Sequence, residues 1–161
     1  MTQVYYDIIS SPIGDLIISS DDEGMTGLHI EGDRYFRSVP DDWRRESNNV
    51  LLNQAIGQLD EYFQGRRQVF ELPLNPGGTY FQNMVWKALE EIPYGSTLNY
   101  TQLAEAINLP HAVRAVASAV GRNPICILVP CHRVVGKNGA LSGYVAGLDK
   151  KEWLLNLENN K

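Results

Sequence analysis

Residues 129–135 read VPCHRVV, and the interpretation of the whole chain depends on this stretch. A cysteine stands directly before a histidine and an arginine, with Pro130 ahead of them and two valines behind. A thiol reacts as its thiolate, and a neighbouring imidazole or cation lowers its pKa from about 8.5 to about 3.5–7.5. On an extended strand, adjacent side chains point to opposite faces, so Cys131 and His132 cooperate only if the chain turns at Pro130 or a water bridges them. Taken alone, such a dipeptide is more often structural than catalytic.

The segments on either side of this stretch predict helices. Residues 101–107 and 111–120 form two short helical segments separated by a break at Asn108 and Pro110, which is the pattern of a helix-turn-helix. The second segment is rich in alanine, and Arg114 is its one long polar side chain. Small side chains allow close approach, either to a neighbouring helix or to a DNA groove, and composition alone leaves both open.

The first part of the chain predicts a β-rich lobe. Three short apolar runs, YYDII, DLIISS and MTGLHI, are separated by turn residues, which is typical of an antiparallel meander. Apolar residues at three- and four-residue steps then predict a helix over residues 49–64. We therefore predict an α+β fold with an N-terminal lobe over residues 1–75, made of a small antiparallel sheet and a helix. A mostly helical lobe follows over residues 76–161, with the helix-turn-helix and the active-site cysteine.

The net charge of −5 on 161 residues disfavours a nucleic-acid partner at first sight. The charge is uneven, however, because residues 1–75 carry 13 acidic and 6 basic side chains, while residues 106–148 carry four basic and no acidic ones. A surface can be locally positive on an acidic protein. Charge alone leaves a DNA-binding face and a chance distribution equally open.

The two cysteines predict free thiols. If residues 125–135 form an extended strand, the Cα atoms of Cys126 and Cys131 lie about 16 Å apart at about 3.3 Å per residue, whereas a disulfide tolerates about 7 Å at most. Free thiols, together with the lack of a long apolar segment or a secretion signal, predict a cytoplasmic protein. Two cysteines and His132 at awkward spacing make a poor zinc site, so we expect no metal and no cofactor.

Four motifs in a fixed order carry a family resemblance. A helix-turn-helix candidate precedes Asn123-Pro124, then come PCHRVV, the loop SGYVAG over residues 142–147, and KEWLLNLE at the end. From about Phe81 to Glu158 this set resembles the O6-alkylguanine-DNA alkyltransferases, also called methylated-DNA–protein-cysteine methyltransferases, and a weaker similarity extends back through SPIGDLIIS. The resemblance implies a monomeric, single-turnover DNA repair enzyme. Such an enzyme moves the alkyl group of O6-alkylguanine in double-stranded DNA onto its own cysteine. Acceptance of O4-alkylthymine or of larger alkyl groups stays open, as does the role of Cys126.

The resemblance also implies roles for individual residues. Cys131 is the expected alkyl acceptor, His132 takes its proton through a water, and Glu158 orients and charge-stabilises His132. Tyr100 donates a proton or hydrogen bond to the departing guanine, and Asn123 fixes the turn ahead of the active-site segment. The residues expected to contact DNA are Arg114, Ala115, Ser118 and Arg122. Those expected to form the substrate pocket are Val134, Tyr144, Val145 and Gly147.

The sequence departs from the family pattern in the loop over residues 142–147. Val145 and Ala146 stand where the family's loop has a serine and a glycine, which implies a tighter pocket that admits O6-benzyl groups less readily. The acidic N-terminal lobe is expected to face away from DNA.

Three rival functions are considered. A lesion-binding protein of the same fold lacks the cysteine, so the presence of Cys131 disfavours it. The others are a small cysteine hydrolase or redox protein, and a transcriptional regulator, for which the chain is too short.

Overall fold

The computed structural model describes residues 2–159 and opens with a four-stranded sheet. The strands are β1 (Tyr5–Ile9), β2 (Leu16–Ser20), β3 (Met25–Ile30) and β4 (Arg44–Arg45), in the spatial order β3-β2-β1-β4. β1, β2 and β3 pair antiparallel, which confirms the predicted meander. The polar residues 31–48 carry few periodic cues, and their sequence predicts a loop. The two-residue β4 lies within them and pairs parallel to β1, so the prediction is wrong at that point.

Helix α1 (Val50–Phe63) packs on this sheet. It begins at Asn49, whose side chain accepts a hydrogen bond from the backbone N–H of Leu52. It ends before Gly65, which adopts a φ of 77°, a conformation that glycine reaches without steric cost. The buried face of α1 carries Leu52, Ala55, Leu59 and Tyr62, so the predicted helix and its apolar side are confirmed.

The segment between the two lobes is not a free linker. The backbone N–H of Met25 donates to the carbonyl of Pro73 over 2.8 Å, and the N–H of Asn75 donates to the carbonyl of Met25 over 2.7 Å. The chain therefore follows the edge of β3 before Thr79 starts the next helix with a capping box.

The second lobe is built mainly from helices, as predicted. They are α2 (Tyr80–Glu90), α3 (Tyr100–Ala106), α4 (Val113–Gly121) and α5 (Leu148–Asn159). α3 and α4 are the two helices of the predicted helix-turn-helix, and the indole N–H of Trp86 on α2 donates to the carbonyl of Ala119 on α4 over 2.8 Å. A parallel pair of two-residue strands, β5 (Leu98–Asn99) and β6 (Val134–Val135), lies beside them. Within residues 2–159, no helix is long and apolar enough to span a membrane.

The segment over residues 125–135 is not the extended strand that its apolar sequence predicts. Ile127 adopts a φ of 72°, and the backbone N–H of Leu128 donates to the carbonyl of Cys126 over 2.8 Å, so the chain reverses direction there. The amide of Asn123 closes this reversal, because its nitrogen donates to the carbonyl of Val129 and its oxygen accepts from the N–H of Ile125. A 3-10 turn over residues 131–133 follows. The predicted Cα separation of about 16 Å rested on an extended strand and is therefore withdrawn.

The reversed segment also joins the two lobes. The N–H of Leu28 on β3 donates to the carbonyl of Pro124 over 2.9 Å, and the N–H of Cys126 donates back to the carbonyl of Leu28 over 3.1 Å. Residues of both lobes pack in one continuous apolar core. The cysteine segment is consequently held between the sheet and the helices, where little backbone movement is available to it.

Candidate active site

Cys131 lies at the start of the 3-10 turn, with 4% of its surface exposed. Its thiol is free, as is that of Cys126. The neighbouring Cys126 thiol is the largest influence that lowers the pKa of Cys131; the Asn123 side chain and the charge of Lys151 lower it further, while burial acts in the opposite sense. The pKa of Cys126 itself is raised well above its ordinary value by this contact and by burial, so Cys126 keeps its proton. Cys131 is therefore the thiol that ionises more readily.

His132 is fully buried, and its Nε2 lies 2.7 Å from Oε2 of Glu158. Burial lowers the pKa of His132, although the hydrogen bond to Glu158 opposes this, so the ring is neutral at neutral pH. Because an ionised carboxylate only accepts hydrogen bonds, Nε2 carries the ring proton and donates a hydrogen bond to Glu158. Nδ1 then presents a lone pair, and it is a buried atom without a hydrogen-bond partner in the part of the chain that the structure describes. The ring is thus poised to accept a proton at Nδ1.

Glu158 receives more hydrogen bonds than the sequence analysis anticipates. The hydroxyl of Tyr62 donates to it over 2.6 Å, and the guanidinium of Arg133 donates from Nε and from a terminal nitrogen over 2.8 and 3.0 Å. Burial raises the pKa of Glu158, but the hydrogen bonds from His132, Arg133 and Tyr62 outweigh it and hold the pKa at about 2. The carboxylate is therefore permanently charged at neutral pH and anchored from both lobes.

Lys151, like Tyr62 and Arg133, has a role near the site that the sequence did not reveal. Its side chain is buried, and Nζ donates to the carbonyls of Ser142 and Gly143 over 2.8 and 3.0 Å. Burial lowers the pKa of Lys151 to about 8, while the nearby Cys131 opposes that shift. Lys151 therefore fixes the loop over residues 142–147 and contributes positive charge near the thiol. The KEWLLNLE motif contains this lysine, but the motif alone does not show which way the side chain points.

A cavity of about 90 Å³ lies beside the thiol. It is lined by Arg34, Tyr100, Ala117, Val120, Gly121, Cys131, Gly143, Tyr144 and Val145. The hydroxyl of Tyr100 donates to the carbonyl of Ser142 over 3.4 Å, and burial raises the pKa of Tyr100, so the phenol stays protonated. A larger cavity of about 490 Å³ lies between α2 and α3, but its lining residues include no cysteine or histidine, so the chemistry centres on the smaller one.

The other residues singled out in the sequence fall into three groups. Tyr144 and Val145 line the cavity, whereas Val134 is buried in β6 opposite Leu98 and Gly147 precedes α5, and neither of these two lines it. The residues on the exposed side of α4 and just beyond its end are Arg114, Ala115, Ser118 and Arg122. The opposite side of α4, with Val116, Ala119 and Val120, packs in the core. The structure therefore places an open helix face next to the mouth of the thiol cavity.

The arrangement supports one kind of chemistry best. The buried thiol of lowered pKa and the protonated phenol line the same cavity, and the neutral imidazole, backed by a carboxylate, follows the thiol in the same 3-10 turn. A thiolate, a general base and an acid in this order fit nucleophilic displacement at a carbon whose leaving group is protonated as it departs.

Comparison with known proteins agrees with this geometry. A family model described as "6-O-methylguanine DNA methyltransferase, ribonuclease-like domain" matches residues 4–76, and one described as "6-O-methylguanine DNA methyltransferase, DNA binding domain" matches residues 80–160. The methylated-DNA–protein-cysteine methyltransferase of Methanosarcina barkeri is 47% identical over 98% of this chain and 98% of that protein. The constitutive enzyme of that name from Bacillus subtilis is 44% identical over 96% of this chain and 94% of that protein. The crystal structure of Mycobacterium tuberculosis OGT in complex with DNA has a TM-score of 0.89 and 41% identity, over 96% of this chain and 92% of that chain.

Proposed function

The chain belongs to the 6-O-methylguanine DNA methyltransferase family, and from that premise we propose that O6-alkylguanine in double-stranded DNA is its substrate and Cys131 its alkyl acceptor. The activity is that of the methylated-DNA–protein-cysteine methyltransferases, which is DNA repair by alkyl transfer, and DNA is its partner. The observation that carries the proposal is the thiol of lowered pKa on a cavity wall, with a neutral imidazole and an anchored carboxylate beside it.

The chemical step is a single displacement. Cys131 gives up its proton through a water to Nδ1 of His132, whose positive charge Glu158 then stabilises across the 2.7 Å hydrogen bond. The thiolate attacks the alkyl carbon, so a sulfur–carbon bond forms while the bond from that carbon to guanine O6 breaks. Tyr100 donates a proton or hydrogen bond to the guanine as negative charge develops on it, which makes guanine a better leaving group.

The product explains why each molecule acts once. A thioether, unlike a thioester, offers no acyl carbon that water can attack, so hydrolysis does not regenerate the thiol. Cys131 is also buried in a segment held between both lobes, which keeps other nucleophiles away from the new bond. We therefore propose a stoichiometry of one alkyl group per chain.

The DNA face follows from the position of α4. Its exposed side carries two small residues, Ala115 and Ser118, and the long side chain of Arg114. Small residues allow close approach to the groove, and Arg114 has the reach to fill the space left in the stack when the nucleotide is extruded, a step that costs a few kcal/mol. Arg122, just beyond the helix, adds a positive charge for backbone phosphates. Binding should accordingly weaken steeply with added salt, because phosphate contacts release counterions.

The size of the cavity bears on the alkyl group. At about 90 Å³ it is well below the range of about 300–1,000 Å³ that holds drug-sized ligands, so a guanine enters only if the loop or Arg34 moves outward. Val145 on that loop adds bulk to the wall. We propose that methyl groups are transferred faster than benzyl groups for this reason.

Turnover stoichiometry tests the proposed function. The protein is incubated with a fivefold excess of a duplex containing O6-methylguanine, and repaired strands are counted over time. Repair should stop at one equivalent, and Cys131→Ser should repair nothing, while the matched variant Cys126→Ser should still reach one equivalent. Continued turnover, or full repair by Cys131→Ser, would contradict the proposal.

The remaining expectations are also proposals. We propose that the two functional units divide near residues 75 and 76, that the chain acts as a monomer, and that it works in the cytoplasm, where its thiol stays reduced. A monomer suffices because one chain supplies the thiol, the imidazole, the carboxylate and the exposed helix face.

A further inference from the structure

Side-chain contacts fix a loop of the sheet lobe, around Arg34, beside the active site. Asp33 is buried, and its two carboxylate oxygens bind the backbone N–H of Tyr35 over 2.8 Å and Nδ1 of His29 over 3.1 Å. The His29 ring stacks on Phe36 with centroids 3.9 Å apart and planes 8° from parallel. These contacts fix the backbone on both sides of Arg34 although its side chain is exposed.

The same loop is tied to the active-site loop of the other lobe. The backbone N–H of Arg34 donates to the carbonyl of Val145 over 3.0 Å, and Arg34 lines the cavity that contains Cys131. The acidic lobe therefore presents a cation at the mouth of the cavity. The acidic charge of that lobe predicts that it faces away from DNA, but this corner of it lies on the active-site side.

Tyr35 holds a second cation at the same place. The guanidinium carbon of Arg122 lies 3.9 Å from the centroid of the Tyr35 ring, and that of Arg34 lies 5.2 Å from it. Tyr35 is 49% exposed, so about half of its surface is open to solvent. Cations at these distances from an aromatic face are attracted to it, so the ring orients one guanidinium from each lobe.

Neither guanidinium is neutralised by the protein. The ion pairs formed within residues 2–159 involve neither Arg34 nor Arg122. Two like charges gathered at one exposed ring repel each other unless an anion lies between them or next to them. The planar fork of arginine donors matches the oxygens of a phosphate. Two exposed arginines without an ion-pair partner lie beside a cavity that would hold an extruded base. The nearest anions would then be the phosphates of the strand from which that base comes.

We propose that Arg34 and Arg122, oriented by Tyr35, bind the backbone phosphates of the DNA strand that flank the extruded nucleotide. This inference rests on the proposed function and adds the sheet lobe to the DNA interface. Because Arg34 lines the cavity, its movement onto a phosphate would also widen the cavity when the substrate arrives. The sheet lobe then contributes directly to recognition of DNA, besides supporting the fold.

The test compares Arg34→Ala, Arg34→Lys and the matched control Arg37→Ala, an exposed arginine of the same loop that does not line the cavity. Dissociation constants for duplex DNA are measured over a range of salt concentrations. Arg34→Ala should weaken binding about three- to tenfold at low salt and reduce the salt slope by about 0.9, the value for one lost phosphate contact. Arg34→Lys should keep most of the slope, because it keeps the charge, and Arg37→Ala should match the unmodified protein.

A second measurement separates phosphate binding from an effect on the cavity. Methyl transfer is followed from free O6-methylguanine, which has no phosphate, and from the duplex. The loss caused by Arg34→Ala should be clearly larger on the duplex. An unchanged salt slope, an equal loss in Arg37→Ala, or an equal loss on the free base would overturn the inference. If the unmodified protein transfers nothing from either substrate, the proposed function itself has failed.

Discussion

Replacing Glu158 by glutamine should destabilise the protein by about 3 kcal/mol at neutral pH. The pKa of Glu158 is held at about 2 against an ordinary value of 4.5, and each unit of that difference corresponds to about 1.4 kcal/mol. An independent route gives the same size, since removing one partner of a buried ion pair costs about 3–5 kcal/mol and Glu158→Gln leaves Arg133 buried without its counter-charge. For a chain of this length, that loss lowers the melting temperature by about 6–12 °C.

The pH dependence gives this prediction its sharpest form. Because the folded pKa of Glu158 lies below the unfolded one, its stabilisation is complete above about pH 4.5 and disappears as the pH falls towards 2. Glutamine resembles the protonated acid, so the stability difference between the two proteins should shrink to about 1.4 kcal/mol at pH 3. Urea unfolding followed by tryptophan fluorescence, repeated between pH 7 and pH 3, measures that difference.

The matched control is Glu152→Gln on the same helix, where the side chain is exposed. This variant should change stability by less than about 0.5 kcal/mol. The reasoning fails if Glu158→Gln costs less than about 1 kcal/mol at pH 7, or if its cost is the same at pH 3 as at pH 7.

Three further predictions concern the reaction. Tyr100→Phe should slow methyl transfer from duplex DNA about 100-fold in single-turnover assays, and an unchanged rate would exclude it as the proton donor. Cys126→Ala should raise the pKa of Cys131, because it removes the neighbouring thiol that contributes most to lowering that pKa. The rate of transfer should then fall at low pH but recover at high pH, with the thiolate absorbance shifting in parallel, whereas an unmoved profile would contradict this. Arg114→Ala should slow repair of duplex DNA about tenfold and leave transfer from free O6-methylguanine unchanged, so equal losses on both would refute its role in extrusion.

The fold was largely predictable because its elements carry strong local signals. The three-residue and four-residue spacing over residues 49–64 predicts α1, and the helix-turn-helix pattern over residues 101–120 predicts α3 and α4. The short strand β4 was missed because two arginines carry no strand pattern, and its pairing with β1 depends on tertiary contacts. Local sequence patterns therefore predict helices and hairpins well, but they predict poorly a short strand that forms only through tertiary contacts.

The failure at residues 125–135 has a specific physical cause. Apolar, β-branched residues favour a strand, but the side chain of Asn123 satisfies two backbone groups and stabilises a reversal instead. That reversal places Cys126 against Cys131, which the strand hypothesis excluded. The resemblance correctly singled out Asn123, but its physical effect on the thiol pair became visible only in three dimensions.

The active site shows the same division between local and distant information. Cys131 and His132 are neighbours in sequence, and the motif near the end of the chain points to Glu158, so these residues were accessible from sequence. Tyr62 reaches Glu158 from 96 positions away in the chain and otherwise belongs to the apolar face of α1. Arg34 belongs to a lobe whose net charge is negative, which disfavours contact with DNA. Such contributions depend on which surfaces the two lobes bring together, and no pattern along the chain encodes them.

Peptide mapping shows directly which sulfur receives the alkyl group. After reaction with methylated duplex DNA, trypsin releases residues 123–133 as one peptide that contains both cysteines, so fragment ions must distinguish Cys126 from Cys131. We predict one methyl group per chain, attached to Cys131 as a thioether, with Cys126 unmodified. A methyl group on Cys126 or elsewhere, or repaired DNA with no methyl group on the protein, would contradict the account.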